Sequence, residues 1–526
     1  IVQREAERTK SLKMPVSGAR TPLLSSLLVL ILLIEPSQAF QGLSPLPSLV
    51  RANRGASSHG RRGVASGLSM VAATPGGTQT RRRTVTLERL QEEGGQSVLP
   101  VRIDGVWYDL SDYRSAHPGG KWLLDYSYGK DVTAIFKSIH LFAKEETQSK
   151  LDKLPIIDAD SPILAKPNVF SADLVPPTQG KEIETPFQAD LRAMLTRRFS
   201  SREDFKAPAD HWVRIGMAAA ATAYCWNGWL HGDVAATAAL PLVHWVLAAH
   251  TCHEATHSTL STNEHVNYWL QFTAHPIMFN VFVWIPQHLI SHHQYTNDPN
   301  LDVDVHHFAP ALLSQEQPPL DPDSNRGWTF AWKGMLTTVG TCILQPMRTL
   351  LDSKTPNFDD NITPIPHGVS KATLALSMAP SFFVLLYPLL AFGPSDPALA
   401  AFLEVWPWVG MSMIWTAMTQ TSHIQQQCQR APGAADTDWS AGQVETSLDY
   451  SVASPFWTAV TGGLNTQSLH HVLPTVCMSH FPDMYREYEE ICAKHGVNVR
   501  QSDNLATATA SMYDFIFKVN APKAPQ

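Results

Sequence analysis

The chain has 526 residues, enough for two or three domains, and a formal net charge of −7. Hydrophobic residues make up 44% of it and charged residues only 17%, so membrane-spanning segments are expected to alternate with polar regions. The charge balance offers no basic patch of the kind that nucleic-acid binding needs, and no nucleic-acid partner is predicted. The six cysteines show no paired spacing, which predicts reduced, buried thiols rather than a disulfide framework.

Residues 1–90 have the composition of a targeting region rather than of a folded domain. After Met14, a candidate initiation site, the apolar run Leu23–Ile34 is short for a membrane span and ends at small residues before Phe40. The stretch Gln41–Arg83 is rich in Arg, Ser, Gly and Pro and has no acidic residue, which is typical of a transit peptide. The combination resembles the two-part plastid address of algae with complex plastids. A plastid membrane is therefore expected, with an uncleaved anchor and the endoplasmic reticulum as the alternative.

A histidine motif marks residues 95–165. Val101–Asp109 alternates in the manner of a strand, and the run His117-Pro118-Gly119-Gly120 is followed by a Gly-x-Asp-x-Thr segment, Phe136 and His140. This combination resembles cytochrome b5, and the resemblance implies a small α+β domain in which His117 and His140 are the axial ligands of haem b. A haem with two imidazole ligands has no open position for oxygen and passes one electron at a time.

The Pro-Gly-Gly part of this motif carries its own expectation. Pro118, Gly119 and Gly120 are predicted to form a tight turn that lets the backbone approach the macrocycle. An ordinary turn followed by a helix-capping histidine is the alternative interpretation.

Beyond a Pro-rich linker at residues 166–190, four apolar segments each approach the ~20 residues that a helix needs to cross a bilayer. These segments are Trp212–Leu230, Val234–His250, Ala372–Phe392 and Ala398–Thr419. The short connections within each pair lack Lys and Arg, which predicts two helical hairpins with the basic side toward cytosol or stroma. Val266–Ile285 and Phe330–Leu350 contain polar residues and are predicted to be interfacial or re-entrant, with six full spans as the alternative.

Three histidine clusters and one further histidine fall on the predicted basic side of the membrane. They are His253 and His257; His288, His292 and His293; His423; and His470 and His471, preceded by Gln467. The i,i+4 spacing of the first pair places both imidazoles on one helix face. Imidazole suits iron, copper, zinc and nickel, so ligand type does not name the metal, but so many histidines exceed one coordination sphere and predict two ions.

The order of these clusters resembles the membrane fatty acid desaturases. An HxxxH box, an HxxxHH box followed by Tyr-Thr-Asn-Asp-Pro, and a QxxHH box appear in family order, and the Gln of the third box with a fused haem domain resembles the front-end subgroup. The resemblance implies a mainly α membrane protein, with a four-span desaturase domain over residues 191–500 and a C-terminal tail at 501–526. It also implies a di-iron centre with Gln467 as a neutral partner or water-mediated ligand. The implied iron ligands are His253, His257, His288, His292, His293, His423, His470 and His471.

Polar residues around the boxes have weaker assignments. Asp298, Asp302 and Asp304 are candidates to orient imidazoles, with a solvated acidic loop as the equal alternative. Glu254 stands where the family usually has Asp, and this replacement keeps a carboxylate at the position. Other histidines are interpreted as structural or interfacial; they are His250, His265, His275, His306, His307 and His480.

The resemblance also implies a reaction and its partners. An acyl chain bound to a membrane lipid receives a cis double bond on the carboxyl side of an existing one, with O2 and electrons from a reductase. The expected donor is cytochrome b5 reductase, or ferredoxin or a plastid reductase. A sphingolipid long-chain-base desaturase, a hydroxylase or an acetylenase are alternatives of the same chemistry. The non-enzymatic alternatives are a membrane cytochrome with a vestigial metal domain and a metal transporter, which would place its ligands at mid-membrane.

Overall fold

The structure, a computed structural model, describes residues 98–165, 184–299, 301–308, 311–314, 326–351, 365–429, 438–452 and 454–521. The predicted targeting region lies outside these residues, as does most of the predicted linker.

The N-terminal part is a small antiparallel sheet with short helices. Strands β1 (Pro100–Ile103), β2 (Val106–Asp109) and β3 (Ile156–Ile157) are neighbours in that order. Asp104 and Gly105 join the first two with φ values of 50° and 76°, the left-handed conformation of a two-residue hairpin turn. The strand pattern predicted over residues 101–109 is present, and the Asp-Gly pair divides it into two antiparallel strands by folding the segment back on itself. The helices are α1 (Lys121–Tyr126), α2 (Thr133–Ile139) and α3 (Lys144–Leu151).

The larger part is almost entirely helical, and its first helix begins inside the predicted linker. Thr185 caps that helix by accepting a hydrogen bond from the Gln188 amide, and Pro186 occupies its first position. The helices up to the second histidine box are α4 (Pro186–Arg198), α5 (Ala209–Leu230), α6 (Val234–Ala248), α7 (Glu254–Thr256), α8 (Glu264–Leu270), α9 (Val281–Pro286) and α10 (His293–Tyr295). Those that follow are α11 (Gly327–Gly334), α12 (Thr337–Val339), α13 (Gln345–Leu351), α14 (Lys371–Ser377), α15 (Ala379–Ala391), α16 (Pro397–Thr419), α17 (Trp439–Glu445), α18 (Pro455–Thr461), α19 (Gln467–Val472), α20 (Phe481–Lys494) and α21 (Leu505–Val519).

Three helical segments among the described residues are long and apolar enough to cross a membrane, namely Val234–Thr256, Lys371–Ala391 and Pro397–Ser422. The remaining predicted span corresponds to α5, which has 22 residues but includes Arg214 and Asn227 and is not one of the three. Helix α5 packs against α6, α6 against α16, and α15 against α16. The four helices thus form one bundle, and a fourth membrane crossing stays a prediction.

The two predicted interfacial segments are broken into short pieces. Residues 266–285 contain α8, a 3₁₀ turn at Gln271–Ala274 and α9, and residues 330–350 contain α11, α12 and α13 around a π-helical turn at Gly340–Leu344. Neither is among the three candidate spans found in the described residues. Their interfacial or re-entrant placement stays a prediction.

The C-terminal region belongs to the folded core. Strands β4 (Leu448–Tyr450) and β5 (Arg500–Ser502) pair in parallel. Helix α21 buries Met512, Phe515 and Ile516 in the same apolar cluster as the helical bundle. Part of the predicted tail at 501–526 thus packs as a helix against the bundle, and the domain boundary at residue 500 stays a prediction.

The N-terminal part packs directly on the helical part. The Gln294 side-chain amide donates to the Asp131 carbonyl at 3.0 Å. The Trp439 indole donates to the Gln294 carbonyl at 3.0 Å and its ring packs on Ala134. Buried side chains of both parts share one apolar cluster. This contact places the predicted haem site beside the first histidine box.

Candidate active site

π-helical turns carry His253 of the first histidine box and His288 and His292 of the second. Ala249–His253 and Gln287–His292 each have the wider hydrogen bonding of a π turn, a feature frequent at functional sites. The regular α-helical face predicted for His253 and His257 is thus only partly present. The two imidazoles are still adjacent, with ring centroids 5.0 Å apart.

Four imidazoles meet in a first buried cluster, in which one ring nitrogen of each lies within 4.8 Å of the others. The four residues are His253, His257, His288 and His470. The His257 and His288 Nε2 atoms are only 2.9 Å apart. Among the described residues, neither ring nitrogen of His253 nor the Nε2 of His470 has a hydrogen-bond partner. Because buried polar atoms without partners are costly, these converging lone pairs fit a bound cation.

Three further imidazoles form a second buried cluster that meets the same distance criterion. They are His292, His423 and His471. In each ring the Nδ1 atom is already engaged: with Asp302 at 3.1 Å, with the Thr446 carbonyl at 3.2 Å, and with Gln443 Oε1 at 2.8 Å, respectively. Such contacts fix the ring orientation and leave the Nε2 atoms to face a metal ion.

His293 lies between the two clusters. Its Nε2 atom is 3.2 Å from the His288 Nε2 of the first cluster, and its ring stacks on His471 of the second with centroids 4.4 Å apart. The structure therefore brings all eight predicted histidines into one buried region.

The Gln467 side chain faces the second cluster. Its Nε2 position is 3.0 Å from the His423 Nε2 and 3.1 Å from the His471 Nε2, and in the described part of the chain its Oε1 has no hydrogen-bond partner. Exchange of the amide oxygen and nitrogen would direct the carbonyl oxygen to the same position. Gln467 thus sits where a neutral ligand or a partner of bound water is expected.

Burial keeps most of these rings neutral, as metal ligands must be. It lowers the pKa of His257, His288 and His470 well below 6.5, and nearby histidines add to the effect. His292 is the exception. Burial lowers its pKa, but the charges of Asp302 and Asp304 outweigh this and raise it to about 9. The two carboxylates therefore stabilise positive charge at His292. A proton on the ring supplies such a charge, and a bound metal ion would supply it too.

The three candidate orienting carboxylates differ in position. Asp302 contacts His292 directly, whereas Asp304 lies 3.6 Å from both His292 and His307. Asp298 accepts a hydrogen bond from the Leu301 amide within its own loop. The contact of Asp302 with His292 has the geometry of a hydrogen bond to a predicted ligand.

Most of the histidines interpreted as structural contact the main chain. His250 contacts the Ala459 carbonyl at 2.6 Å, His306 the Pro299 carbonyl at 2.9 Å and His480 the Lys206 carbonyl at 3.0 Å. The His275 Nε2 is 3.5 Å from the Val281 amide. His265 is exposed, and His307 is buried beside Asp304.

A third buried group consists of His211, Glu254 and Cys477. His211 contacts the Ser479 hydroxyl at 2.8 Å and the His250 carbonyl at 3.2 Å. Glu254 accepts hydrogen bonds from Thr259 and from the Met478 amide. With these partners in place, the group is a hydrogen-bonded network that ties the start of α5 to the first box.

The sequence analysis did not assign a role to Gln443 or Thr296. The Gln443 Oε1 accepts hydrogen bonds from the Thr296 hydroxyl at 2.7 Å and from the His471 ring. Because Gln443 lies outside the three boxes, their spacing gives no indication of its contact with His471.

The N-terminal part contains the second site. His117 and His140 face each other with ring centroids 6.3 Å apart, about the room that two metal–imidazole bonds of roughly 2 Å require. Each Nδ1 is held by a main-chain carbonyl, that of Gly120 at 3.3 Å and that of Phe136 at 2.7 Å, which leaves the Nε2 atoms available. Burial lowers the pKa of His117 to about 4 and that of His140 to about 3, so both rings are neutral.

The turn after His117 has the close packing that the Pro-Gly-Gly motif predicts. A Cβ atom on Gly119 would lie 3.0 Å from the His117 Cε1 and 2.8 Å from the Leu123 Cδ1. Gly120 has a φ of 98°, a conformation that L side chains rarely adopt. Pro118 and Gly119 both line a cavity of about 230 Å³ between the two histidines.

This cavity extends to the first histidine cluster. Its wall includes apolar side chains of the N-terminal part, such as Leu123 and Phe136, and continues over Thr256, His257 and Ser258. A planar apolar cofactor between His117 and His140 therefore fits this cavity. The part of the wall formed by Thr256, His257 and Ser258, here called the His257 wall, includes a residue of the first histidine cluster.

Comparisons with known proteins match this architecture. The family described as fatty acid desaturase matches residues 227–503, and the cytochrome b5-like heme/steroid binding domain matches residues 86–159. The chain belongs to the fatty acid desaturase family. With its fused cytochrome b5-like domain it is an O2-using oxidoreductase of the front-end type.

Curated relatives share this organisation over most of their length. The acyl-lipid omega-13 desaturase of Chlamydomonas reinhardtii is 27% identical over 77% of this chain and 90% of its own. The acyl-lipid (8-3)-desaturase of Mortierella alpina is 27% identical over 82% and 95%, respectively. The chloroplastic acyl-lipid (7-3)-desaturase of Chlamydomonas reinhardtii is 28% identical over 80% of each chain. Their different names show that the position of the double bond varies among such relatives.

Proposed function

We propose that the chain introduces a cis double bond on the carboxyl side of an existing double bond in a polyunsaturated, lipid-bound acyl chain. The observation that carries this proposal is the convergence of seven histidines in two buried clusters, with His293 between them, beside a bis-histidine cavity. Breaking an unactivated methylene C–H bond is beyond ordinary acid–base groups, and the two iron ions supply that chemistry when bound. The fused cytochrome b5-like domain, which accompanies the front-end type, supports a position on the carboxyl side of an existing double bond.

The proposed ligand sets follow the two clusters. His253, His257, His288 and His470 hold one ion. His292, His423 and His471 hold the other, with Gln467 facing the same ion. His293 lies between the two. The donor set consists of neutral nitrogen atoms, so Asp302 is the proposed anionic partner that keeps a proton on the His292 Nδ1 and makes its other nitrogen more basic.

We assign electron entry to the N-terminal part. His117 and His140 are the proposed axial ligands of haem b, with Pro118, Gly119 and Gly120 shaping the turn beside it. The shared wall at Thr256, His257 and Ser258 supports electron transfer within one chain, because it leaves little protein between the two sites. The electron source is a reductase, either cytochrome b5 reductase or a ferredoxin-linked plastid enzyme.

The bundle α5, α6, α15 and α16 is proposed to cross the membrane four times, with the histidine clusters at its basic end. This position would present a lipid acyl chain to the metal site at a fixed depth, so that one carbon pair meets the oxidant. A plastid membrane is the proposed location, supported by the composition of residues 41–83 and by the chloroplastic relative. The endoplasmic reticulum is the alternative.

Expression in yeast supplied with polyunsaturated fatty acids tests the reaction. We expect a new fatty acid whose added double bond lies between the carboxyl group and an existing double bond, and an empty-vector strain as control should lack it. A new double bond in the sphingoid base would instead support the long-chain-base alternative. A hydroxylated or acetylenic product would also contradict the proposal.

A further inference from the structure

The haem cavity is positively charged on one side. Three cationic side chains line it: Lys150 of α3, and Arg202 and Lys206 of the segment between α4 and α5. Among the described residues that line the cavity there is no Asp or Glu. Two of the three cations come from the desaturase part rather than from the cytochrome b5-like part. The cavity thus has an excess of positive charge next to an otherwise mainly apolar wall.

Carboxylates outside the cavity compensate these cations only in part, namely Glu146 and, near Lys206, Glu203 and Glu254. Glu146, outside the cavity, pairs with Lys150 at 2.7 Å and lies 4.0 Å from Arg202. The Lys206 ammonium is within 3.4 Å of the Thr475 carbonyl and stands over the Phe205 ring. Burial, and then the nearby charge of Arg202, lower the pKa of Lys206 to about 8. An anion in the cavity would relieve this repulsion.

Haem b is an apolar planar group with two carboxylates on one edge, and this charge distribution complements the cavity. We propose that Arg202 and Lys206, together with Lys150, bind the haem carboxylates, so that the desaturase part completes the haem site. This inference rests on the proposed haem ligation by His117 and His140. Its consequence is that tight haem retention depends on docking of the two parts, which also sets the haem against the His257 wall.

Haem retention and reduction potential in the full-length holoprotein test this inference. Arg202→Gln, Lys206→Gln and the double variant are compared with Arg197→Gln, whose exposed side chain pairs with Glu487 and does not line the cavity. We expect the double variant to lose haem to apomyoglobin roughly tenfold faster, since charge-assisted hydrogen bonds are lost. Its midpoint potential should fall, because a nearby positive charge favours the reduced haem. The Arg197→Gln control should match the native protein.

Two further experiments distinguish the loss of carboxylate binding from an effect on folding. The Arg202 side chain is 35% exposed, so Arg202→Glu should fold and should lose haem faster than Arg202→Gln. After reconstitution with haem dimethyl ester, which has no free carboxylate, native and double-variant proteins should lose the cofactor at similar rates.

If the double variant lost haem at the native rate and had the native midpoint potential, this inference would be overturned while the haem assignment stood. The same conclusion would follow if, with the dimethyl ester, the double variant still lost the cofactor faster than the native protein by the same factor. A native chain without a bis-imidazole haem spectrum would overturn the haem assignment as well. Desaturation of the wrong lipid would affect only the proposed reaction.

Discussion

The two cofactor sites of this chain are built in different ways. In the haem site, two imidazoles stand apart across a cavity of about 230 Å³ whose wall is mainly apolar but includes Lys150, Arg202 and Lys206. In the metal site, imidazoles pack against one another, with the His257 and His288 nitrogens 2.9 Å apart. The first arrangement suits a large planar group, and the second suits small ions surrounded by nitrogen.

The chain positions of the ligands differ as well. His117 and His140 belong to one small domain, and main-chain carbonyls within four residues hold their Nδ1 atoms. The proposed metal ligands extend from His253 to His471, and several of their Nδ1 partners come from distant segments, as Gln443 does. Loss of a haem ligand should therefore leave the metal site intact, whereas the metal site depends on the packing of the whole helical part.

The largest expected effect follows loss of a metal ligand. His470→Ala removes one nitrogen from the first cluster, which leaves that ion with three of its four proposed ligands. Desaturated product should fall to the background of the empty-vector strain, while the haem spectrum stays native. The measurements are the lipid profile and the difference spectrum of the same membranes. Normal product formation would contradict the ligand assignment.

The next effect follows loss of a haem ligand. His140→Ala should abolish the haem absorbance and most turnover, because electrons no longer enter through the fused domain. Non-haem iron, measured on the purified protein, should stay at the native level if the two sites are independent. Full turnover without haem would rule out the proposed electron route.

A smaller effect is expected at the carboxylate beside His292. Asp302→Ala leaves the Nδ1 atom of this ring without its partner and should lower activity or iron retention about 10–100-fold, as for similar orienting residues. Asp302→Asn keeps an acceptor and should lie between this variant and the native protein. Asp298→Ala, in the same loop, is the matched control and should have little effect. Equal losses in the two alanine variants would show that the loop, and not the hydrogen bond to His292, determines the result.

The smallest effect is expected at the turn beside His117. In Gly119→Ala the added methyl group meets the imidazole and Leu123, so haem should dissociate a few-fold faster, roughly the effect of modest overpacking. Gly216→Ala, whose added Cβ would meet nothing within 4 Å, serves as the control. Unchanged haem loss in Gly119→Ala would show that the turn adapts without moving His117.

The candidate site residues could be selected from the sequence because each box is local and its spacing is distinctive, and their roles as ligands stay predictions. The structure adds how those boxes meet. The π-helical turns at Ala249–His253 and Gln287–His292 have no clear sequence signal, since an HxxxH spacing also fits an ordinary helix. The contact between Gln443 and His471 depends on tertiary packing and could not be inferred from spacing.

Two features of the fold have a clear signal in the sequence. Asp104-Gly105 is a strong hairpin pair between alternating residues, and it explains why residues 101–109 form two strands. Helix α21 is capped by Asn504 and carries an apolar face, so the segment after residue 500 had the pattern of a packed helix. The number of membrane crossings is harder to predict from the sequence, because α5 is long enough to span a membrane but contains polar residues such as Arg214.

Metal analysis of the purified full-length chain tests the central claim most directly. Total iron, zinc and copper are measured by mass spectrometry, and haem is measured separately by the pyridine haemochrome spectrum. The account predicts one haem and two non-haem iron ions per chain, with the non-haem iron retained in His140→Ala and reduced in His470→Ala. A folded, haem-loaded chain that contains no non-haem iron, or zinc in its place, would contradict it.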